Sequence, residues 1–548
     1  MSKPAPDSFS AEERALLSRY FTNLDGPVFA LINLPEVVKG ALFARYSRSP
    51  KSLRRLFLDE FVDELDVSGD TTLDATVGLK RAEQLYARVF SEYGDDSVAQ
   101  LGGVHLACEH ASNVLTKILE RGRLMSYLEQ STRYIPYDAR LENGHYRYVR
   151  EPSILDSPFG ARYVGEMDRM FDTYGELLPK LQAYLHQRSP APPGVSALAH
   201  RQAVRAASLD ALRGLLPAGS LSNVGMYGTG QSYELLLLHM RAHPLAEARR
   251  YADLMLEELR KVIPSFLTRV DRPERGGAWS DYLQATETDT HELVRGYWPV
   301  RAPQPGARVT LTDYDPAGED KVLAAICYTH TNLPDAELLR RVRKLSAEER
   351  AALLGAYVGT RGNRRHRPGR AFERTDYRFD VVADYGAFRD LQRHRLLSID
   401  WQPLGTDLGY EVPELVELAG LQEPFVESLE RSRALHDGLA KYFPEMCGYA
   451  VALAYNIRFT MQMNAREAMH VLELRSTSQG HPAYRRVVQE MHRLISEQAG
   501  HAALAAAMSF VEHGDVELGR LEAEQRAEAR SGLKAVSQGR SRGRKGSS

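Results

Sequence analysis

The sequence predicts an α+β protein, predominantly helical overall, made of two similar halves that each pack long helices on a small sheet. Three observations predict it. Helical periodicity fills most of the chain, whereas alternating strand-like segments are few and short, at 308–314 and 377–382. Two basic motifs recur in the same order in each half, which points to an internal duplication. The length, 548 residues, exceeds what one ordinary core holds. Composition shifts near residue 300, so the expected organisation is a first domain at 1–300, a second at 301–530 and a basic tail at 531–548.

In chain order, residues 1–9 read as a loose arm, and Ser10 with Glu13 forms a capping box that opens a short helix. Helical patterns follow at 35–47, 52–65 and 79–93, and a long, mostly apolar stretch at 97–120 ends in a basic cluster. Residues 160–187 and 198–216 read as helices separated by a Pro-rich piece, and 245–267 is strongly amphipathic. The stretch 271–280 reads as a linker leading into a looser region up to 306. In the second half, helices are expected at 318–329, 334–345, 346–357, 412–442, 464–475 and 482–512. The tail holds Lys534, Arg540, Arg542, Arg544 and Lys545 among Gly and Ser, which suits a disordered, solvated segment better than a nucleic-acid arm.

Bulk properties exclude several classes. Hydrophobic residues make up 43% and charged residues 26%, the mix of a soluble globular chain, and the net charge of −2 names no polyanionic partner. Cys108, Cys327 and Cys447 lie too far apart for a disulfide framework or a CxxC zinc site. No positive-then-apolar leader and no apolar run near the roughly 20 residues of a membrane span is present, so a cytoplasmic protein away from membranes is expected.

Chemistry concentrates in three clusters. Residues 121–134, RGRLMSYLEQSTRY, gather three arginines, a carboxylate and small hydroxyls. Arginine suits bidentate phosphate recognition; from charge alone the same cluster also reads as an exposed, salt-bridged helix end. Residues 389–398, RDLQRHRLLS, place His394 between Arg393 and Arg395. That is a poor metal ligand with lowered proton affinity. In 463–475, MNAREAMHVLELR, Asn464 suits a helix N-cap, and Arg466, His470 and Arg475 put polar groups on an apolar helix. The duplication rests on Arg121–Ser126 echoing Arg393–Ser398, each followed by a helix that ends in an Arg and then His-Pro, at 235–244 and 470–482.

These residues resemble the flavin-dependent thymidylate synthase family. Its signature is Arg-His-Arg-x-x-Ser running into Glu-x-Ser-x-Arg-Tyr, with a later Asn-Ala-Arg followed nine residues on by an Arg. The likeness covers most of 75–270 and 365–500, so the two halves look like tandem, diverged copies. They depart from the pattern in opposite ways. The first copy keeps Arg121, Arg123, Ser126, Glu129, Ser131, Arg133 and Tyr134, and an Arg213 before Leu-Leu-Pro, but has Gly122 for the histidine and no Asn-Ala-Arg. The second keeps Arg393, His394, Arg395, Ser398, Asn464, Arg466 and Arg475, but loses the Glu-x-Ser-x-Arg turn. The upstream segments, 94–100 and 367–373, are altered in both.

The resemblance implies a division of labour. The second copy would hold FAD through Glu373, Arg393, His394, Arg395, Asn464, Arg466 and His470. The first would hold the nucleotide through Arg121, Glu129, Ser131, Arg133 and Arg213. Arg475 would take the catalytic role beside the pyrimidine, with Arg241 as its first-copy counterpart. The implied reaction is C5 methylation of dUMP or a related pyrimidine nucleotide, with methylenetetrahydrofolate and NADPH as co-substrates and no metal. A homodimer would replace the family's homotetramer as a pseudo-tetramer. The family's glutamine, three residues before its first motif arginine, is replaced by Ile118 and Asp390, which leaves another pyrimidine nucleotide open as substrate. A non-catalytic flavin- or nucleotide-binding paralogue also remains open, as does decay of both copies.

Overall fold

The structure is a computed structural model that describes residues 8–34, 36–61, 102–298, 306–514 and 521. The helix expected at 79–93, the segment 94–100, the stretch around residue 300 and the tail 531–548 lie outside the described residues. The chain divides into two compact units. Unit one comprises Met1–Phe171, Pro217–Ala302 and Arg431–Val451; unit two comprises Asp172–Leu216, Pro303–Glu430 and Ala452–Ser548. The sequence reading anticipated two halves but not this exchange, in which a segment of each repeat is built into the other repeat's unit.

In unit one, the capping box at Ser10 opens helix α1 (Ala11–Leu17), as the sequence predicts. Helices α2 (Glu36–Tyr46) and α3 (Leu53–Glu60) follow strand β1 (Val28–Leu31). The apolar stretch 97–120 divides into strand β2 (Gly103–Ser112) and helix α4 (Asn113–Leu119), with Ser112 capping the helix through Leu115. Strands β3 (Met125–Glu129) and β4 (Leu221–Thr229) complete an antiparallel sheet of order β1-β2-β4-β3. Phe21, Phe29, Leu42, Phe43, Tyr46 and Phe57 form a buried cluster with that sheet. Gly225 on β4 must be glycine, because a Cβ there would sit 2.6 Å from the Phe43 ring. Helix α5 (Gly160–Arg188) begins in this unit, and helices α7 (Gly230–Ala242) and α8 (Ala246–Arg260) follow β4. The expected linker and looser region instead contain helix α9 (Ala278–Tyr297), with its first turn already inside 271–280. None of its residues is buried, and its apolar residues, Trp279, Tyr282, Leu293, Val294 and Tyr297 among them, stand exposed.

Unit two repeats the same plan. Strands β5 (Val309–Tyr314), β6 (Asp376–Asp384), β7 (Ser398–Trp401) and β8 (Asn456–Asn464) form an antiparallel sheet of order β5-β6-β8-β7. Helices α10 (Gly318–Tyr328), α11 (Asp335–Val342) and α12 (Ala347–Val358) precede β6, and α13 (Tyr385–Leu391) follows it, capped by Asp384 as α4 is by Ser112. Residues 412–442 form a short turn of helix and then α14 (Gln422–Ala440), the latter part of which belongs to unit one. Helix α15 (Ala465–Arg475) leaves β8, and α16 (Pro482–Glu497) and α17 (Ala502–Ala507) occupy the region read as one helix. Helix α6 (Ala197–Leu212) comes from the first repeat but packs in unit two. Identical strand order and matching caps show the two halves as copies of one α+β fold. Arg121 and Arg393 both stand just past the equivalent helices, α4 and α13.

Candidate functional site

In unit two, the second-repeat residues singled out from the sequence are arranged along α15, from Asn464 and Arg466 at its start through His470 to Arg475, its last residue. Asn464 caps that helix, accepting from the Glu467 amide at 2.9 Å. Arg466 donates from Nε to the Pro368 carbonyl at 3.0 Å and reaches Glu373 at 3.5 Å. Glu373 also accepts from Arg370 at 2.9 Å. Arg393, His394 and Arg395 lie in the turn between α13 and β7, with Arg393 half-buried, His394 buried and Arg395 exposed.

His394 is the centre of this arrangement. Arg475 Nε donates to His394 Nε2 at 2.9 Å, while His394 Nδ1 lies 3.5 Å from a Glu467 carboxylate oxygen. The His470 ring stands edge-on to His394 with centroids 5.3 Å apart. Burial holds the His394 imidazole well below its usual range, and the Arg475 charge and the neighbouring His470 push the same way, so it is neutral. Burial pushes the Glu467 carboxyl up to about 7, against the pull of Arg367, Arg466 and Arg395. His470 is lowered to about 4 by burial and by Arg367, Arg364 and Arg475. The ligand atoms of His394, Glu467 and His470 lie within 4.8 Å of one another, close enough for a metal. The chemistry argues otherwise: one nitrogen of His394 is taken by Arg475, and the surrounding arginines create a field that attracts anions.

The first repeat contributes to this same unit. Arg213, at the end of α6, is buried, and its Nη1 donates to Asp390 on α13 at 3.4 Å. The other oxygen of Asp390 lies 3.9 Å from Arg475. Among the described residues, the Nε and Nη2 of Arg213 have no hydrogen-bond partner. They face Gly386, where a Cβ would come within 3.2 Å of both. The guanidinium of Arg475 lies over the Tyr484 ring, 5.6 Å from its centroid, and burial lowers its pKa.

The remaining first-repeat residues lie in unit one. Arg121 is exposed in the turn after α4, and its charge adds to burial in lowering His243 to about 4. Glu129 is buried at the end of β3, where Lys117 reaches it at 3.3 Å. Ser131 accepts from the Arg133 amide at 3.2 Å, which shapes the turn that carries the half-buried Arg133. Arg241 does not stand where its proposed counterpart stands. Thr229 and Asn464 cap α7 and α15, so counting from these caps aligns Met240 with Arg475. Met240 is fully buried, whereas Arg241 turns outward to Asp253 at 2.9 Å and Asp271 at 2.5 Å. Gly122 takes the place of His394, and a Cβ there would lie 2.6 Å from the Tyr127 hydroxyl. The histidine-centred arrangement is therefore present in unit two and replaced by apolar and aromatic groups in unit one.

Two residues of the site escaped sequence reasoning. Glu467 reads as an N-cap neighbour, and Asp390 reads only as a departure from a motif. The available signal was a carboxylate within each of two helices that also carry arginine, since buried carboxylates need partners.

Residues 42–265 and 310–499 match a family described as thymidylate synthase complementing protein. A UPF0159 protein of Chlamydia muridarum is 39% identical over 525 residues, covering 95% of this chain and 99% of its own length. A UPF0159 protein of Thermoplasma acidophilum is 32% identical over 525 residues, covering 90% of this chain and 99% of its own. Among solved structures, the UMP/dUMP methylase PolB from Streptomyces cacaoi, bound with 5-Br dUMP, shares 18% identity over 36% of this chain and 94% of that one, with a TM-score of 0.30.

Proposed function

The chain belongs to the thymidylate synthase complementing protein family, the flavin-dependent thymidylate synthases, in two tandem copies, and on that premise we propose that it methylates dUMP or a related pyrimidine nucleotide at C5. Methylenetetrahydrofolate is the one-carbon donor and NADPH the reductant in this reading. The observation that carries it is the position of Arg213. A phosphate-type arginine from the first repeat is built into unit two, on the carboxylate that also neighbours Arg475.

The residues of unit two fit a dinucleotide cofactor. Arg364, Arg367, Arg395 and Arg466 all act on Glu467 or His470, a concentration of guanidinium charge suited to the pyrophosphate of FAD. Asn464 caps α15, Glu373 anchors Arg466, and Arg393 adds its charge near Arg475 at the other end of the helix. Bound flavin would supply the carrier of the one-carbon unit and the reducing equivalents. The protein's own work is positional and electrostatic. Arg475, fixed through Nε, stabilises negative charge developing on the pyrimidine. In this reading Arg213 holds the nucleotide phosphate. No cysteine acts as nucleophile: burial raises the thiol pKa of Cys108, Cys327 and Cys447, which disfavours the thiolate.

The experiment is direct. Purified protein with FAD, NADPH, methylenetetrahydrofolate and dUMP should yield dTMP, and the gene should relieve a thymidine requirement. FAD binding without methyl transfer to any pyrimidine nucleotide would instead favour a binding paralogue. Asp390 favours testing other bases alongside dUMP. A carboxylate accepts hydrogen bonds and never donates, so it suits a base edge that donates, such as uracil N3–H or a cytosine amino group. The assay therefore compares dUMP, UMP and dCMP.

A further inference from the structure

The contacts around His394 settle where its proton must be. A guanidinium only donates hydrogen bonds. The 2.9 Å contact from Arg475 Nε therefore requires a bare lone pair on His394 Nε2. Because the imidazole is buried and neutral, its single proton sits on Nδ1. Nδ1 faces the Glu467 carboxylate at 3.5 Å, a separation that tightens readily when a ligand closes a site. The opposite tautomer would set a ring N–H against the Arg475 N–H and break the contact.

Both ends of this chain of contacts stand on α15, two turns apart, while His394 comes from the turn after α13. Asn464 holds the Glu467 backbone through its cap, so the carboxylate projects from a fixed point. At the far end, Arg475 is also bounded by Tyr484 and Asp390.

We propose that Glu467 is a positioning residue: by accepting the Nδ1 proton of His394 it fixes the imidazole tautomer, and the bare Nε2 then holds the Arg475 guanidinium in one orientation. The inference rests on the reading of Arg475 as the group beside the pyrimidine, and it adds a residue that no motif named. Glu467 touches no reacting atom; its effect passes through His394. The relay has no counterpart in unit one, where the positions aligned with Glu467, His394 and Arg475 are Ser232, Gly122 and Met240.

The test uses the full-length protein labelled with 15N-histidine. His394→Asn identifies the His394 signals. In the parent protein they should show protonated Nδ1 and bare Nε2. Glu467→Leu should mix or invert the tautomers, whereas Glu467→Gln, whose amide oxygen still accepts, should keep Nδ1 protonated. In turnover, Glu467→Leu should lower kcat by roughly 10- to 100-fold, the scale of an ångström-level misplacement, with KM for the nucleotide and FAD content changed less than threefold (about the scatter of context effects). Glu467→Gln should recover most of that loss. An unchanged His394 tautomer in Glu467→Leu overturns the proposal, as does a Gln variant no better than Leu in either measurement. The tautomer readout needs no catalysis, so absence of methyl transfer with an intact tautomer pattern sinks the proposed reaction and leaves the relay standing.

Discussion

Replacing Asp390 by Asn removes the one carboxylate seen to neighbour both Arg213 and Arg475. At 3.4 Å and 3.9 Å, and with an effective dielectric near 20, the two attractions are each about 4–5 kcal/mol before desolvation is subtracted. Arg213 is only 4% exposed and cannot turn to water. Removing one partner of a buried pair typically costs about 3–5 kcal/mol. Two features reduce that here. The Asn oxygen still accepts a hydrogen bond, and Asp384 also lies in the field of Arg213. A net loss of about 2–4 kcal/mol follows, or a fall in Tm of roughly 4–16 °C at about 2–4 °C per kcal/mol. The assay is calorimetry of the full chain, run with and without inorganic phosphate. Phosphate should stabilise Asp390→Asn more than the parent, because the anion no longer competes with a resident carboxylate. An unchanged Tm, together with the same phosphate response in both proteins, would refute the assignment of this corner as an anion site.

Other outcomes follow from the same geometry. Arg361 makes a bidentate pair with Glu473 at 2.5 and 2.6 Å, with side chains 3% and 1% exposed, so Arg361→Leu should cost about 3–5 kcal/mol in denaturant unfolding. Purified protein should show a flavin spectrum, and Arg466→Ala should lower its FAD content while leaving far-UV dichroism unchanged; colourless protein that takes up no added FAD contradicts the cofactor reading. Glu467 titrates near 7 when folded against an ordinary 4.5, so the folded state holds the extra proton and stability from this group falls as pH rises through that window. Glu467→Gln should flatten that slope in unfolding measured across pH. His470 behaves oppositely: with a folded value of about 4 against 6.5, its contribution is complete above 6.5 and is lost as pH falls towards 4, and His470→Asn should remove that acid limb.

Much of this was readable from local rules. The capping box at Ser10, the N-cap at Asn464 and the helices at 318–329 and 346–357 follow from side-chain chemistry within a few residues, and each is present. Strand β2 was hidden because most of its residues, on both faces, are buried, leaving no alternation to distinguish it from a helix. Helix α9 was hidden differently, because the Pro273, Gly276 and Gly277 that precede it read as a linker. The site divided in the same way. Arg466, His470 and Arg475 share a helix, and their spacing brought them together. Arg213 and Asp390 are 177 residues apart, and nothing local reports that they meet. The pairing of Arg241 with Arg475 came from sequence anchors around His-Pro; counting from the helix caps moves it by one residue, which on a helix is a turn of about 100° and a different face.

The exchange of segments also governs the order in which the molecule can be made. Unit one includes Arg431–Val451, so it lacks a piece of itself until well after Ala302 has been made. Between Ala302 and Arg431 lie 128 residues, which at about 5–20 residues per second impose a wait of roughly 6–26 s. During that interval, Glu247 is without the Tyr449 hydroxyl that later bonds it at 2.7 Å. A nascent chain in this state shows apolar surface that a domain completed in sequence order would already have hidden. A gene split near residue 300 would yield two polypeptides that are each missing a strip of their own interior, so they should come out of the cell together or not at all.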